Sequence, residues 1–567
     1  MSQVNTSFSF NGYHEYLNIH KESFNKELDE LFSKSLPQRI WSKDYILWQD
    51  KPDEISNRLG WLDSPVSMEV VAEYINEFPA ELSKNGLNNT LLVGMGGSSL
   101  APEFFEKTFS GNFPLKVIDT TDPESIAYIK NSIDPKTTLI IVSTKSGTTV
   151  ETISLMNYFY NEFYKVLGGE RVGSHFAAIT DPGSNLENTA KKLNFRKIFL
   201  NDPDIGGRYS ALSHFGLVPA SLLGVDIKKI LRSAKNSAEL SGINDTNKNI
   251  PLRFGTLIGY CAGRKIDKLT IITSKNIKYF SYWVEQLIAE STGKNGVGVL
   301  PVIEDKFDDN KEYSSDRLFV FIKLGDDEEV EKQLISAVNK NHPLVCMELN
   351  DLFELGGLFF NWEFATAVCG IQMGINPFDQ PDVESSKIYT KKFIEDYQKN
   401  RLLNDLKPSF DYNGIEFFAG TDLKDIESLS QWLSQNIEEG GYFCIQAFIT
   451  QTVENEKLLL NLAENLSFKF NVPVTSGFGP RYLHSTGQLH KGDSGKGVFI
   501  QFVSNIKSDI PIPEDPLSDK SSISFGVLKN AQSLGDYKAL KDRMRNILRI
   551  NLGNDVEKNL NLFSGLI

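Results

Sequence analysis

Four cysteines in 567 residues are too few for a disulfide framework, and none forms a CxxC pair. Cys261, Cys346, Cys369 and Cys444 lie in apolar surroundings (GYCAG, LVCME, AVCGI, YFCIQ) and read as buried, reduced thiols of a cytosolic protein. Histidine is also scarce, seven in all, and no cluster of them suggests a metal site. Basic residues are in deficit: 59 Lys and Arg against 73 Asp and Glu give a net charge of −14. That balance excludes bulk nucleic-acid binding, which needs a basic face, and adhesion to anionic membranes. It does not exclude a small anionic substrate held by local backbone dipoles. No stretch reaches the roughly 18 consecutive apolar residues of a membrane-spanning helix. The start, MSQVNTSFSFNGYHEYLNIHKES, lacks the basic stretch and apolar core of a secretory signal. The expected location is the cytoplasm. Internal repeats and low-complexity tracts are missing as well.

Apolar side chains are plentiful: 40 % of the chain is hydrophobic and 11 % aromatic, which rules out a disordered polymer. Length suits three or four domain-sized units of roughly 150 residues. Residues 15–85 read mostly as amphipathic helices. From 88 onward, buried-strand runs at 115–119, 138–143, 176–180 and 197–200 alternate with helical patterns. A second series has strands at 269–273, 297–303, 318–323 and 343–348 and helices at 251–265, 276–290, 327–340 and 356–373. Alternation of this kind predicts parallel sheets covered on both faces. A charged helix and connection follow at 391–408. The remainder carries apolar runs at 441–449, 472–475 and 498–503 and a polar loop at 506–516. The expected division is an N-terminal helical region (1–85), two α/β subdomains (86–224 and 225–408) and a C-terminal α/β extension (409–567).

Six constellations could carry chemistry. Gly94-Met95-Gly96-Gly97-Ser98-Ser99 follows a strand and precedes a helix, so anionic oxygens could approach its backbone and the helix N-terminus. It lacks the GK[ST] of a Walker loop and the last glycine of a dinucleotide fingerprint, and it could equally be a packing turn. Ser143-Thr144-Lys145-Ser146-Gly147-Thr148-Thr149 crowds hydroxyls around one glycine at a helix start. That density exceeds ordinary capping and fits a phosphate monoester. Gly206-Gly207-Arg208-Tyr209-Ser210 gives an arginine backbone space to reach a cleft. In Glu285–Lys294 (EQLIAESTGK), Glu290 ends an apolar helical pattern, where a carboxylate is partly desolvated, as suits a general base. Asn376–Lys387 (NPFDQPDVESSK) is a proline-fixed loop running into a helix with Lys387. Gly479–Gly492 holds two of the seven histidines, His484 and His490, at a spacing that suits a single acid/base better than a metal pair.

Together these segments resemble the glucose-6-phosphate isomerases, in the sugar-isomerase (SIS) fold group. GMGGSSL is similar to that family's G-[IV]-G-G-S turn, and STKSGTTVET to its S-K-[ST]-x-T-T-x-E loop. GGRYS, AESTGK, LHSTGQ and NPFDQPDVESSK are similar to its Arg, Glu, His and Gln/Lys motifs. The resemblance implies an α/β protein of two SIS-type subdomains, with parallel sheets flanked by helices, plus the C-terminal α/β extension. It implies Glu290 as the base moving a proton between C1 and C2, and Arg208 as the cation beside the enediolate. His484 would open the ring, helped by Lys387, and Gln380 would bind substrate. Thr144, Lys145, Ser146 and Thr149 would hold the phosphate, with Gly97 and Ser98 beside the sugar. A small sugar phosphate, no cofactor or metal, and a homodimer with the active site near its interface are implied too. In the family's usual order the His motif precedes the Lys motif; here His484 comes after Lys387. The tail, with GPRYLHSTGQLHKG and FGVLKNAQSLGDY, is most similar to the isomerase half of transaldolase–isomerase fusion proteins, of which only the isomerase activity is implied here.

The implied reaction interconverts glucose 6-phosphate and fructose 6-phosphate by ring opening and enediolate proton transfer. Aldose isomerisation asks for the same set independently: a base near C1 and C2, an acid/base at the ring oxygen and a fixed cation for the enediolate. Two other readings fit in part. A dual isomerase would also accept mannose 6-phosphate. A SIS-fold sugar-phosphate sensor would use the phosphate loop but has no need of Glu290, His484 or Lys387.

Overall fold

A computed structural model describes residues 6–17, 20–111, 113–304, 306–340, 342–403, 406–419 and 423–567. The chain forms two compact units, each discontinuous in sequence. The first takes residues 1–117, 136–149 and 173–380, and the second 118–135, 150–172 and 381–567. The bounds expected at 85, 224 and 408 divide sequence patterns, not contact units, and stand as our proposal for the modular order of the chain. Within those segments, residues 1–5, 18–19, 112, 305, 341, 404–405 and 420–422 lie outside the described residues.

The first unit opens with a hairpin, β1 Phe8–Phe10 and β2 Tyr13–Tyr16. β2 extends to residue 16, where the sequence pattern reads as helical. Its partner is a strand over 300 residues away (Leu344↔Tyr16), and a local pattern does not carry that pairing. Next come β3 Asn89–Gly94, β4 Leu115–Ile118, β5 Thr138–Ser143, β6 Phe176–Thr180 and β7 Lys197–Leu200, in sheet order β4-β3-β5-β6-β7. β3, β5, β6 and β7 pair in parallel. Every residue of β5 and β6 is buried, which is why TLIIVS and FAAIT run apolar without alternation. From β3 the chain moves out to β4, then returns to β5 and proceeds the other way. That reversal makes a switch point between β3 and β5, where open α/β sheets bind ligands beyond their strand ends. Gly94 and Ser143, the last residues of the two strands, are in register there.

β8 Lys268–Thr273, β9 Leu300–Ile303, β10 Arg317–Leu324 and β11 Leu344–Leu349 build a second sheet, ordered β1-β2-β11-β10-β8-β9. Its β8–β11 strands are parallel and the hairpin joins antiparallel. One core spans both sheets of this unit, taking Leu139 and Ile141 from one and Leu269 and Val320 from the other. Aromatic rings fill the middle: Phe359 packs on Phe104, Phe280 and Trp283 with centroids 5.5, 5.1 and 4.6 Å away. This anchors the helix Phe280–Thr292, which carries Glu290 near its end.

The second unit contains β12 Phe410–Tyr412, β13 Ile415–Phe418, β14 Tyr442–Phe448, β15 Val474–Phe478, β16 Gly497–Val503 and β17 Asn546–Asn551. Their order is β12-β13-β17-β16-β14-β15, parallel from β17 to β15 and antiparallel at β12 and β13. Helix Glu384–Asn400 lies close on helix Phe525–Asp542, since a Cβ on Gly535 would stand 2.5 Å from Thr390 Oγ1. The polar loop at 506–516 is pinned by Asn157, whose Nδ2 donates to the carbonyls of Pro513 and Glu514 at 3.1 Å each. None of the four cysteines is in a disulfide, and all four are buried. Among the described residues, no helix is long and apolar enough to cross a membrane.

Candidate active site

In the first unit, the turn after β3 is a single 3-10 turn, Gly96–Ser98, leading into helix Leu100–Thr108. Gly97 is required by close approach: a Cβ there would lie 2.1 Å from the carbonyl oxygen of Gly207. The turn therefore presses, backbone to backbone, on the segment that carries Arg208. Arg208 is buried and fully engaged. Its Nε donates to Ser291 Oγ at 2.8 Å, Nη1 to Gln380 Oε1 at 3.0 Å, and Nη2 to the carbonyls of Pro377 (2.7 Å) and Asp379 (2.9 Å). The Glu290 carboxylate stands 3.7 Å from Nη1 and accepts from Gln286 Nε2 at 3.2 Å. Arg208, Glu290 and Gln380 are thus gathered in one place.

A further cation belongs to this cluster. Lys294, at the end of AESTGK, is 1 % exposed. Its Nζ donates to the carbonyls of Asn376 (2.8 Å) and Asp379 (2.6 Å) and to Asp379 Oδ1 (2.8 Å). Burial, with Arg208 adding to it and Asp379 opposing, lowers its pKa to about 8. Two buried cations therefore grip one loop, 376–380. The sequence signal was there, a lysine directly after the glycine that ends the Glu290 helix, but a lone lysine after a helix reads as a solvated cap.

The turn after β5 is the hydroxyl-rich loop. Gly147 has φ +69, and a Cβ there would lie 2.3 Å from Leu186 N, so this position requires glycine. Thr144 and Thr149 hydroxyls lie 3.2 Å apart, Ser146 and Thr148 hydroxyls 2.7 Å apart, and Thr148 N–H donates to Ser146 Oγ at 3.2 Å. Thr144 is buried, whereas Ser146 and Thr148 are exposed. Lys145 turns away from the hydroxyls: its Nζ donates to Asp181 and, at 2.6 Å, to the carbonyl of Pro203. The register of β3 and β5 sets this loop beside the Gly97–Ser98 turn at the switch point.

In the second unit, His484 closes the turn Arg481–His484. Its Nε2 lies 2.9 Å from Glu151 Oε1, and Gln532 Nε2 donates to the same oxygen at 2.6 Å. Burial pushes the Glu151 pKa up, but His484, the backbone at the helix start and Lys387 outweigh it and hold the carboxyl below its ordinary value. Lys387 itself is half exposed and pairs with Glu384 at 2.6 Å. Two ties join its segment to that of His484. Gln488 exchanges hydrogen bonds with Asp382 (2.9 and 2.6 Å), and Asp536 accepts from Ser386 (3.1 Å) and Tyr482 (2.8 Å). His490 is a core residue. Burial lowers its pKa to about 3, so the imidazole is uncharged near neutrality. Glu151 lies inside STKSGTTVET, but nothing local in that motif shows that it meets a histidine 333 residues away.

Among the described residues, no group of three or more His, Cys, Asp or Glu could hold a metal ion.

Comparison with known proteins places the chain in a family. The phosphoglucose isomerase family model matches residues 78–300. The probable glucose-6-phosphate isomerase of Methanococcus maripaludis is 31 % identical over 382 residues, 59 % of this chain and 84 % of that protein. The glucose-6-phosphate isomerase of Mycoplasmopsis pulmonis is 25 % identical over 419 residues, 65 % of this chain and 94 % of that protein. Two solved structures share the fold. A hypothetical protein from Thermus thermophilus has a TM-score of 0.59 at 23 % identity, covering 66 % of this chain and 97 % of its own. A glucose-6-phosphate isomerase from Chlamydia trachomatis has a TM-score of 0.56 at 19 % identity, covering 70 % and 91 %.

Proposed function

The chain belongs to the phosphoglucose isomerase family, and from that premise we propose how its residues divide the reaction it catalyses, the interconversion of glucose 6-phosphate and fructose 6-phosphate. The observation that carries the assignment is Arg208, immobilised by four hydrogen bonds with the Glu290 carboxylate 3.7 Å away. A base and a fixed cation at that separation can serve the two ends of one event, proton removal and the growth of enediolate charge. Because Arg208 is already held, it need not reorganise as that charge appears, and oriented charge of this kind contributes on the order of 3 kcal/mol.

Ring opening precedes proton transfer, since C2 becomes acidic only beside a free carbonyl. We assign it to His484, with Glu151 fixing the imidazole and Lys387 assisting. The phosphate is assigned to Thr144, Ser146, Thr149 and the backbone of their loop. Lys145, tied to Asp181, stabilises that loop through a partner and lends it positive charge. Gly97 and Ser98 take the sugar side of the same switch point. Gln380 gives its carbonyl oxygen to Arg208, which leaves its amide hydrogens for substrate. Glu290 then carries the proton between C1 and C2. A cytoplasmic location rests on the buried free thiols, and a homodimer on the family resemblance, testable by light scattering.

A coupled assay with glucose 6-phosphate and mannose 6-phosphate tests the reading. Turnover of the first alone is expected, and turnover of both would widen the substrate class. Ser146→Glu places a negative charge in the phosphate loop and should raise KM at least about tenfold while the far-UV spectrum is unchanged. An unaltered KM would move the phosphate site elsewhere.

A further inference from the structure

Arg549, on β17, is 7 % exposed and has no acidic partner among the described residues. One edge of its guanidinium is held by neutral oxygens. Nη1 and Nη2 both donate to Ser533 Oγ at 3.2 Å, and Nη1 also donates to Gln501 Oε1. The groups behind are neutral too. Gln501 donates to Gln446 at 3.4 Å, and Gln446 faces the uncharged imidazole of His490. The buried carboxylate of Asp536 is committed to Lys491 at 2.6 Å and to the Tyr482 hydroxyl at 2.8 Å. A charge taken out of water without a counter-charge is destabilising, and burial accordingly lowers the pKa of Arg549 to about 10.

A guanidinium has five N–H groups. Three donations are accounted for. The Nε–H and the second Nη2–H lie side by side on the other edge, with no acceptor among the described residues. That edge is the fork that matches the two oxygens of a carboxylate. Arg549 also lines a cavity of about 410 Å³ in the second unit, a size within the range of small-molecule pockets. Register explains the lining: Arg549 stands opposite Phe418 on β13, and Asn551 opposite Val503 on β16. Leu534 adds apolar surface, and Asn505, Asn530 and Asn551 add amides. Glu416 lines the cavity as well, its carboxylate accepting from Asn551 Nδ2 at 2.9 Å, so a ligand with one negative charge fits better than a dianion.

We propose that this cavity binds a small organic carboxylate, gripped by the open edge of Arg549 with its apolar body against Phe418, Val503 and Leu534. The site is separate from the residues assigned to catalysis.

The test is ¹⁹F NMR of 4-fluorobenzoate with the full-length protein. Line broadening is expected with the wild type, reversed by excess unlabelled benzoate. It should persist in Ser146→Glu and weaken at least about tenfold in Arg549→Met, the loss of a charge-assisted pair. No broadening at millimolar probe would overturn the proposal, since the guanidinium edge is then satisfied by the chain itself. Equal broadening in Arg549→Met, or its loss in Ser146→Glu, would overturn it as well by placing the probe elsewhere. Should Arg549→Met fail to fold, wild-type crystals soaked in 4-bromobenzoate decide the matter. A bromine anomalous peak inside the cavity supports the site, and a peak only elsewhere, or none, rejects it.

Discussion

Glu290 and Glu151 are the same residue type, 8 % and 4 % exposed, and they are held in opposite ways. Glu290, in the first unit, stands 3.7 Å from its cation and takes one long hydrogen bond from Gln286. Glu151, in the second unit, takes two short contacts on a single oxygen, from His484 and Gln532. A carboxylate that must lift a proton from one carbon and return it to the next needs lone pairs uncommitted to strong donors. A carboxylate that fixes an imidazole needs the reverse. Burial alone does not separate the base we assign from the orienting group we assign; the tightness of pairing is what differs between them.

The sharpest way to break this contrast is Glu290→Gln, which keeps shape and removes the carboxylate we assign as the base. Activity should fall about 10²–10⁴-fold, KM should change little, and exchange of the C2 hydrogen in D2O should vanish. Retained exchange would hand the role to another carboxylate, Glu285 being nearest in sequence. Glu151→Gln should cost less, about 10²-fold or below, and in a different step. Like His484→Ala, it should depress turnover of a cyclic substrate yet spare C2 hydrogen exchange on an open-chain analogue such as erythrose 4-phosphate, which has no hydroxyl placed to close a ring. His490→Ala should do neither. Stability separates the two glutamates as well. The Glu151 carboxyl is held below its unfolded value, so its contribution is present above about pH 4.3 and is lost as pH falls through its folded pKa. Urea unfolding should therefore find Glu151→Gln less stable than the wild type at pH 7, with the gap closing in acid.

The first unit was more legible in the sequence than the second, for a physical reason. A doubly covered parallel sheet writes itself as uninterrupted apolar runs, and β5, β6 and β7 lie at the expected 138–143, 176–180 and 197–200. The glycine turn and hydroxyl loop were visible because they end such runs. The hairpin Phe8–Tyr16 and the strands β12, β13 and β17 were not named, being short or half polar, with pairing decided by distant partners. Site residues follow the same rule. Arg208, Glu290 and His484 sit in motifs that can be read locally, whereas the work of Lys294 and Glu151 exists only through residues 82 and 333 positions away.

Lys294→Met tests whether the cation behind the loop matters to the cation in front of it. Removing Nζ frees the Asp379 carboxylate, which can then swing toward Arg208 and neutralise the charge we assign to the enediolate. A drop in kcat of roughly tenfold is expected, the scale of one charged hydrogen bond. Lys294→Arg should retain most activity, and the double variant Lys294→Met, Asp379→Asn should regain part of it. The groups facing Nζ are Arg208, Asp379 and Glu290. With the pKa lowered to about 8, the wild type should lose activity as pH rises through about 8, and Lys294→Arg should flatten that limb. For stability the sign is opposite: an unfolded lysine keeps its proton to about 10.4, so between the two values this group's contribution rises with pH.

Glu363 is a third buried carboxyl, and it sharpens the contrast because it has neither kind of partner. It lies on helix Leu355–Met373 at 0 % exposure, and neither oxygen finds a hydrogen bond among the described residues. Burial alone pushes its pKa well above the ordinary carboxylate value, which favours the neutral acid. A raised folded pKa means that its unfolded counterpart ionises first, at about 4.3; stability is therefore undiminished below that pH and is lost progressively as pH rises toward the folded pKa. Glu363→Met fills similar volume without a polar group and should raise unfolding stability by about 1–3 kcal/mol at pH 7, the cost of an unsatisfied buried polar group. The gain should be smaller at pH 4.5. Activity should change by less than about twofold, because this carboxyl meets neither Arg208 nor Glu290. It does lie within electrostatic range of the Tyr209 phenol, which packs next to Arg208. A variant that is more stable but several-fold slower would show that the protonated carboxyl sets Tyr209, and through it the arginine, and the absence of partners would then no longer mark a carboxyl as idle.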